Sequence, residues 1–136
     1  MQLKSIGIAN QVLYPFNISL KEYRNLSNDE INNDLNEVMF DFEIYDGNDI
    51  ILRNNALFSY NIEKILDKII ARTLIIAINQ DQYFPPDLDA VPFFKMIKNS
   101  KFVIYDSKFG HHGDCEIYKI KNKIKMFLNP LNDMSS

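Results

Sequence analysis

Two histidines, His111 and His112, stand side by side in YDSKFGHHGD, residues 105–114, bracketed by Gly110 and Gly113, and they are the chain's whole supply of imidazole. Three uses suit such a pair: a metal site shared with Asp114 and Cys115, a catalytic base, or a polar turn. Metal binding fits the spacing badly, because adjacent residues point in different directions and convergence on one helix face needs ligands three or four apart. No metal ligand set is assigned. Thirty residues before His111, Asp81 follows the apolar run TLIIAI. A carboxylate beside an imidazole has a defined task in acyl transfer: it fixes the tautomer and stabilises the imidazolium, while the other ring nitrogen takes a proton from a nucleophile. The plainer use of Asp81 is to cap a turn before Pro85.

The elements between the two residues decide whether they meet. TLIIAI, residues 73–78, and KFVIY, residues 101–105, are short apolar runs rich in β-branched side chains, as expected of strands buried on both faces of a parallel sheet. In NQDQYFPPDLDAVPFFKMIKNS, an Asp87 cap would put Pro92 at the fifth helical position, against an earlier carbonyl. Asp89 as cap leaves Pro92 in the first turn, where its missing N–H is harmless, so the helix is expected from about Ala90 to Lys98. Strand, helix and strand form a βαβ unit. Ligands of open α/β sheets bind at the carboxyl ends of the strands, and Asp81 and His111 both lie just beyond such ends.

The remainder reads as helical. Ser27 and Glu30 make the S-x-x-E capping box, followed by Ile31, Leu35, Val38, Met39 and Phe42 on one apolar face. A Gly-Asn break precedes a helix from about Asp49 to Phe58, then a second helical stretch with Ile62, Ile65, Leu66 and Ile69 on one side. Ile117, Ile120, Ile124, Phe127 and Leu128 define a last amphipathic helix closed by Asn129-Pro130. Residues 1–26 carry few ordering signals, and Pro15 between Tyr14 and Phe16 favours an extended or turning segment. The tail LNDMSS is expected to be disordered.

Composition excludes several classes. The chain has 136 residues, 46% of them hydrophobic, which suits a globular fold, and its net charge of −3 gives no broad basic field for nucleic acid. Lys119, Lys121, Lys123 and Lys125 fit one solvated helix face. One cysteine, Cys115, allows no internal disulfide and suits a reducing compartment. The N-terminal stretch lacks a signal-peptide pattern, and no segment approaches the roughly 18 apolar residues that span a bilayer. A soluble, cytoplasmic protein is expected.

In their order, a strand ending in D-Q-x-F-P-P (Asp81, Gln82, Phe84, Pro85, Pro86) and another followed by D-S-x-x-G-H (Asp106, Ser107, Gly110, His111) resemble the C-terminal part of the α/β-hydrolase superfamily, most closely its homoserine O-acetyltransferase-like branch. The resemblance runs over about residues 20–130. It implies a partial α/β-hydrolase fold: a helical lid-like segment at 1–60, the last two parallel strands with their helices at 61–130, and a tail at 131–136. It further implies Asp81 as triad acid, His111 as general base, a small acyl substrate, acetyl-CoA as an acyl donor, and no tightly bound cofactor. His112 departs from the branch, which often has aspartate there; His111, directly after Gly110, fits the G-H pattern. A larger departure is the nucleophile. The fold carries it on a G-x-S-x-G elbow ahead of the acid and the histidine, and no serine here has those flanking glycines. Cys115, four residues past His111, suits a small structural thiol better than a substitute nucleophile. The expectation is therefore two thirds of a triad in a chain that does not complete the reaction alone, either a truncated gene product or half of a split enzyme with an N-terminal partner chain. The alternatives are a non-catalytic remnant that binds another protein or forms a homo-oligomer through an unpaired sheet edge, and an independent small α/β binding domain.

Overall fold

A computed structural model describes residues 2–41 and 46–129. Helix α1 (Gln2–Asn17) leads into a single turn, α2 (Leu20–Tyr23), and then α3 (Asn28–Asp41) and α4 (Gly47–Ser59). A short 3-10 helix (Glu63–Lys68) precedes β1 (Thr73–Ile78), α5 (Ala90–Met96) and β2 (Ser100–Tyr105). A longer 3-10 segment (Gly110–Ile120) runs into α6 (Lys121–Leu128). Among the described residues no helix is long and apolar enough to cross a membrane.

The two strands pair in parallel from Thr73↔Ser100 to Ile78↔Tyr105, so the fold is α/β with the βαβ unit expected from the apolar runs. Expected burial on both faces is not seen: of the twelve strand residues only Ala77 and Tyr105 are buried. Two strands present two faces and two edges, and α5, which packs on both strands and on Glu63–Lys68, cannot cover them all. The core is correspondingly small. Leu66, Ala77, Ile97, Tyr105 and Ile120 are its buried apolar side chains in this half, and Tyr14 is buried between α1 and α3. The chain exposes 10479 Å², whereas a folded monomer of 15.9 kDa exposes about 7300 Å².

At the N-terminal end, α3 starts where the capping box places it. Ser27 Oγ accepts the Glu30 N–H at 3.3 Å, and Glu30 Oε2 accepts the Ser27 N–H at 2.8 Å. Ile31, Leu35, Val38 and Met39 are half-buried as α3 packs on α1; Phe42 lies outside the described residues. Helix α1 corrects the expectation of an extended segment around Pro15. The proline sits in the last turn, where it forfeits a single backbone bond, and a hydrogen bond from the Tyr14 hydroxyl to Asp34 ties α1 to α3. Burial and that carboxylate push the Tyr14 phenol far above its ordinary pKa.

Two expected apolar faces hold in part. Glu63–Lys68, flanked by Ile62 and Ile69, is a 3-10 rather than an α-helix, yet Ile62 and Ile69 are half-buried on the side expected of them. Leu66 is buried and Ile65 is exposed. In the Gly110–Ile120 segment Gly110, Gly113, Glu116 and Ile120 are buried, so Ile120 faces inward as expected and Ile117 is left outside. Ile124 and Phe127 of α6 are half-buried, and Leu128 is exposed. Pro130 and the tail 131–136 lie outside the described residues.

Helix α5 begins after Asp89, which makes no side-chain cap bond, and Pro92 occupies its first turn. It ends at Met96 rather than Lys98, because Ile97 turns extended and buries its side chain. Ser100 Oγ then donates to the Ile97 carbonyl at 2.6 Å, turning the chain into β2.

Candidate active site

Asp81 and His111 meet at the carboxyl ends of β1 and β2. His111 Nδ1 lies 3.1 Å from Asp81 Oδ2, with the carboxylate largely buried and the imidazole one-third exposed. The second carboxylate oxygen, Oδ1, accepts the backbone N–H groups of Tyr83 at 2.8 Å and Phe84 at 3.0 Å. Asp81 therefore shapes its own turn with one oxygen and meets the imidazole with the other. The turn-capping use and the pairing use coexist. Among the described residues His111 Nε2 has no hydrogen-bond partner, so the ring's outer nitrogen is available to another group.

Aromatic rings hold the imidazole from the acid loop. The Tyr83 and Phe84 rings lie 4.8 and 5.4 Å from it, centroid to centroid, and Phe16 of α1 meets Tyr83 edge-on at 6.3 Å. Burial pushes the Tyr83 phenol above its ordinary pKa, so it stays neutral at physiological pH.

Both loops are strapped by the linker between α1 and α2. Gln82 Nε2 donates to the carbonyls of Ile18 at 2.8 Å and Pro15 at 3.2 Å. On the other loop, the Lys108 carbonyl accepts the Ser19 N–H at 3.0 Å. Gly110 passes beneath this linker with φ +51°, and a Cβ there would lie 2.7 Å from the Ile18 carbonyl carbon. Only glycine combines that dihedral with that clearance. Gly113 is confined in another way, since a Cβ would lie 2.6 Å from Ser107 Oγ. Its carbonyl accepts the Tyr105 hydroxyl at 2.8 Å.

His112 does not share the pairing. The backbone kinks there, at φ −85° and ψ 15°, and its ring is exposed, 5.7 Å from that of His111. Cys115 is exposed rather than a buried structural thiol. Among the described residues no three His, Cys, Asp or Glu side chains converge as a metal would require. Asp106 and Ser107 serve the scaffold: Asp106 accepts from Asn79 and Gln80, and Ser107 Oγ, almost fully buried, donates to Glu116 Oε2 at 2.7 Å. Residue type alone did not single out Glu116, Gln80, Tyr83 or the 18–19 linker. Gln82 stood in the motif without a stated role, and its two carbonyl bonds supply one.

No protein-family model matches this sequence, and no solved structure matches it. Among curated proteins, the chain is 34% identical over 125 residues to a protein of Methanothermobacter thermautotrophicus described as a "Probable acyltransferase". The match takes in 92% of this chain and 39% of that protein, so the chain spans well under half of its relative's length.

Proposed function

We propose that this chain is the acid- and base-bearing portion of a serine-dependent acyltransferase or hydrolase, built on a partial α/β-hydrolase fold of the homoserine O-acetyltransferase-like kind. The observation that carries the reading is the 3.1 Å contact between Asp81 Oδ2 and His111 Nδ1 at neighbouring parallel strand ends. The acyltransferase description of the relative supports it. With Nδ1–H given to Asp81, His111 Nε2 keeps a lone pair and takes the proton of a serine hydroxyl as that oxygen attacks the acyl carbonyl. The imidazolium returns the proton to the leaving thiol or alcohol, and a hydroxyl substrate or water then releases the acyl group from the serine by the same exchange. Acetyl-CoA is the proposed acyl donor.

The serine comes from sequence outside these 136 residues, on an N-terminal partner chain or an upstream part of one polypeptide, and residues 1–60 serve as the lid-like segment over the 61–130 core portion. The exposed surface fits such a partner. Ile51, Leu52, Leu57 and Phe58 of α4 are each more than half exposed, an arrangement that water disfavours. The same surface favours, as a second reading, a non-catalytic module that binds another protein or itself. The cytoplasm is the proposed compartment.

The test is p-nitrophenyl acetate turnover together with labelling by a fluorophosphonate serine probe. The chain alone is expected to show neither above a His111→Ala control. Assembled with the upstream-encoded polypeptide it is expected to show both, with turnover lost in His111→Ala. Clear His111-dependent turnover by the chain alone overturns the external nucleophile, and an active assembly indifferent to His111→Ala overturns the base.

A further inference from the structure

Strand pairing stops at Ile78 and Tyr105, yet the loops beyond keep the spacing of the sheet. One further backbone bond, from the Asn79 N–H to the Tyr105 carbonyl at 2.9 Å, extends the ladder. After it, side chains take over. Gln80 Nε2 donates to Asp106 Oδ1 at 2.6 Å, Asn79 Nδ2 donates to the same oxygen at 2.9 Å, and Gln80 Oε1 accepts the Ser107 N–H at 2.8 Å. One primary amide thus uses both its ends across the gap between the loops. A primary amide offers a donor and an acceptor on two separate atoms, so one uncharged group meets both Asp106 and the Ser107 N–H, and Asn is a methylene shorter.

The far side of the clamp is anchored in turn. Ser107 Oγ, bonded to Glu116 as described, accepts the Phe109 N–H at 3.1 Å. Lys119 Nζ reaches Glu116 Oε2 at 2.7 Å and the Asp106 carbonyl at 3.1 Å. The hydrogen bonds from Asn79 and Gln80 hold the Asp106 carboxyl below its ordinary pKa, so it is the charged acceptor at neutral pH. Gln80 directly precedes Asp81, and Ser107 opens the turn that delivers His111. The clamp bridges the same gap as the Asp81–His111 contact.

We infer that Gln80 is a positioning residue: its side-chain amide, held between Asp106 and the Ser107 N–H, sets the loop separation at which Asp81 keeps His111 in the Nδ1–H tautomer. Its catalytic purpose rests on the acyl-transfer reading, whereas the tautomer it enforces is measurable without any reaction. The test uses the full 136-residue chain with ¹⁵N-labelled imidazoles and long-range ¹H–¹⁵N spectra at about pH 9, well above the ordinary imidazole range.

Wild-type His111 is expected as a single Nδ1–H tautomer. Gln80→Glu sets a carboxylate against that of Asp106 and is expected to convert His111 to a mixture of both tautomers. Adding Asp106→Asn to Gln80→Glu restores a donor opposite the new carboxylate and is expected to restore the single tautomer, a rescue that general damage to the fold would not give. Asp106→Ala, at an exposed position, is expected to lose the single tautomer as well and serves if Gln80→Glu does not fold. A wild-type signal retained in both Gln80→Glu and Asp106→Ala overturns the clamp alone, as does loss without rescue. A wild-type His111 in the Nε2–H form overturns the Asp81–His111 pair and, with it, both the clamp and the acyl-transfer reading.

Discussion

Replacing Gly110 by alanine tests whether the histidine loop is held by backbone contact with the 18–19 linker. The residue has φ +51°, and an added Cβ would lie 2.7 Å from Ile18 C and 2.8 Å from Ser19 N. The left-handed dihedral alone costs an L-residue about 1 kcal/mol relative to glycine. Restoring ordinary contact moves the linker by about 0.8 Å, which breaks or stretches the Ser19 N–H bond to the Lys108 carbonyl at 3.0 Å and the Gln82 bond to the Ile18 carbonyl at 2.8 Å. Each is worth about 1 kcal/mol. The sum is about 2–4 kcal/mol, a fall of about 1–2 M in the urea midpoint for a chain of this size. Gly110→Asn separates the two causes, since asparagine tolerates positive φ but keeps the Cβ; it is expected to recover less than half of the loss. Gly47→Ala is the control: its Cβ would meet only Ile6 Cδ1 at 3.7 Å, and a change within about 0.5 kcal/mol is expected. A Gly110→Ala midpoint matching wild type would refute the packing of the linker on the histidine loop.

Two further outcomes follow from local contacts. Ser27→Ala removes the oxygen that accepts the Glu30 N–H and is expected to cost about 1 kcal/mol, read as a lower urea midpoint with reduced far-ultraviolet helicity. In acid, Glu116 is held below its ordinary pKa by Lys119 and then Ser107, and Asp106 by Asn79 and then Gln80. A carboxylate depressed in the folded state binds its proton more readily when unfolded, so this stabilisation is present above the ordinary carboxylate range of about pH 4 and disappears as pH falls through the folded values. Urea midpoints taken between pH 6 and 2 are expected to fall along that limb, and Lys119→Met is expected to flatten it; a midpoint constant to pH 2 contradicts the assignment.

Local signals alone were enough wherever one or two residues fix the backbone. Ser27 and Glu30 start α3, the β-branched runs give both strands within a residue, and Pro92 falls in the first turn of α5, although Asp89 makes no cap bond there. The order of strand, helix and strand was sufficient to bring Asp81 and His111 to the same end of a parallel pair, because the ends of adjacent strands are neighbours whatever surrounds them. Other features were not legible. Pro15 reads as a break, and only the packing of α1 on α3 makes its lost hydrogen bond affordable. Apolar spacing after His111 places Ile120, Ile124 and Phe127 on the inner face, but it also named Ile117, which is exposed, and missed the buried Gly110, Gly113 and Glu116, which pack close to Ser107 and the linker. Gln80, Gln82 and Glu116 look like surface residues in one dimension, since Asp106, Ile18 and Ser107, which bond them, are distant in sequence. The sequence by itself determined that Asp81 and His111 stand at neighbouring strand ends. Tertiary structure decided which histidine turns to the carboxylate, because that depends on a kink at His112, a positive φ at Gly110 and a clamp between two loops, none of which any single stretch of chain encodes.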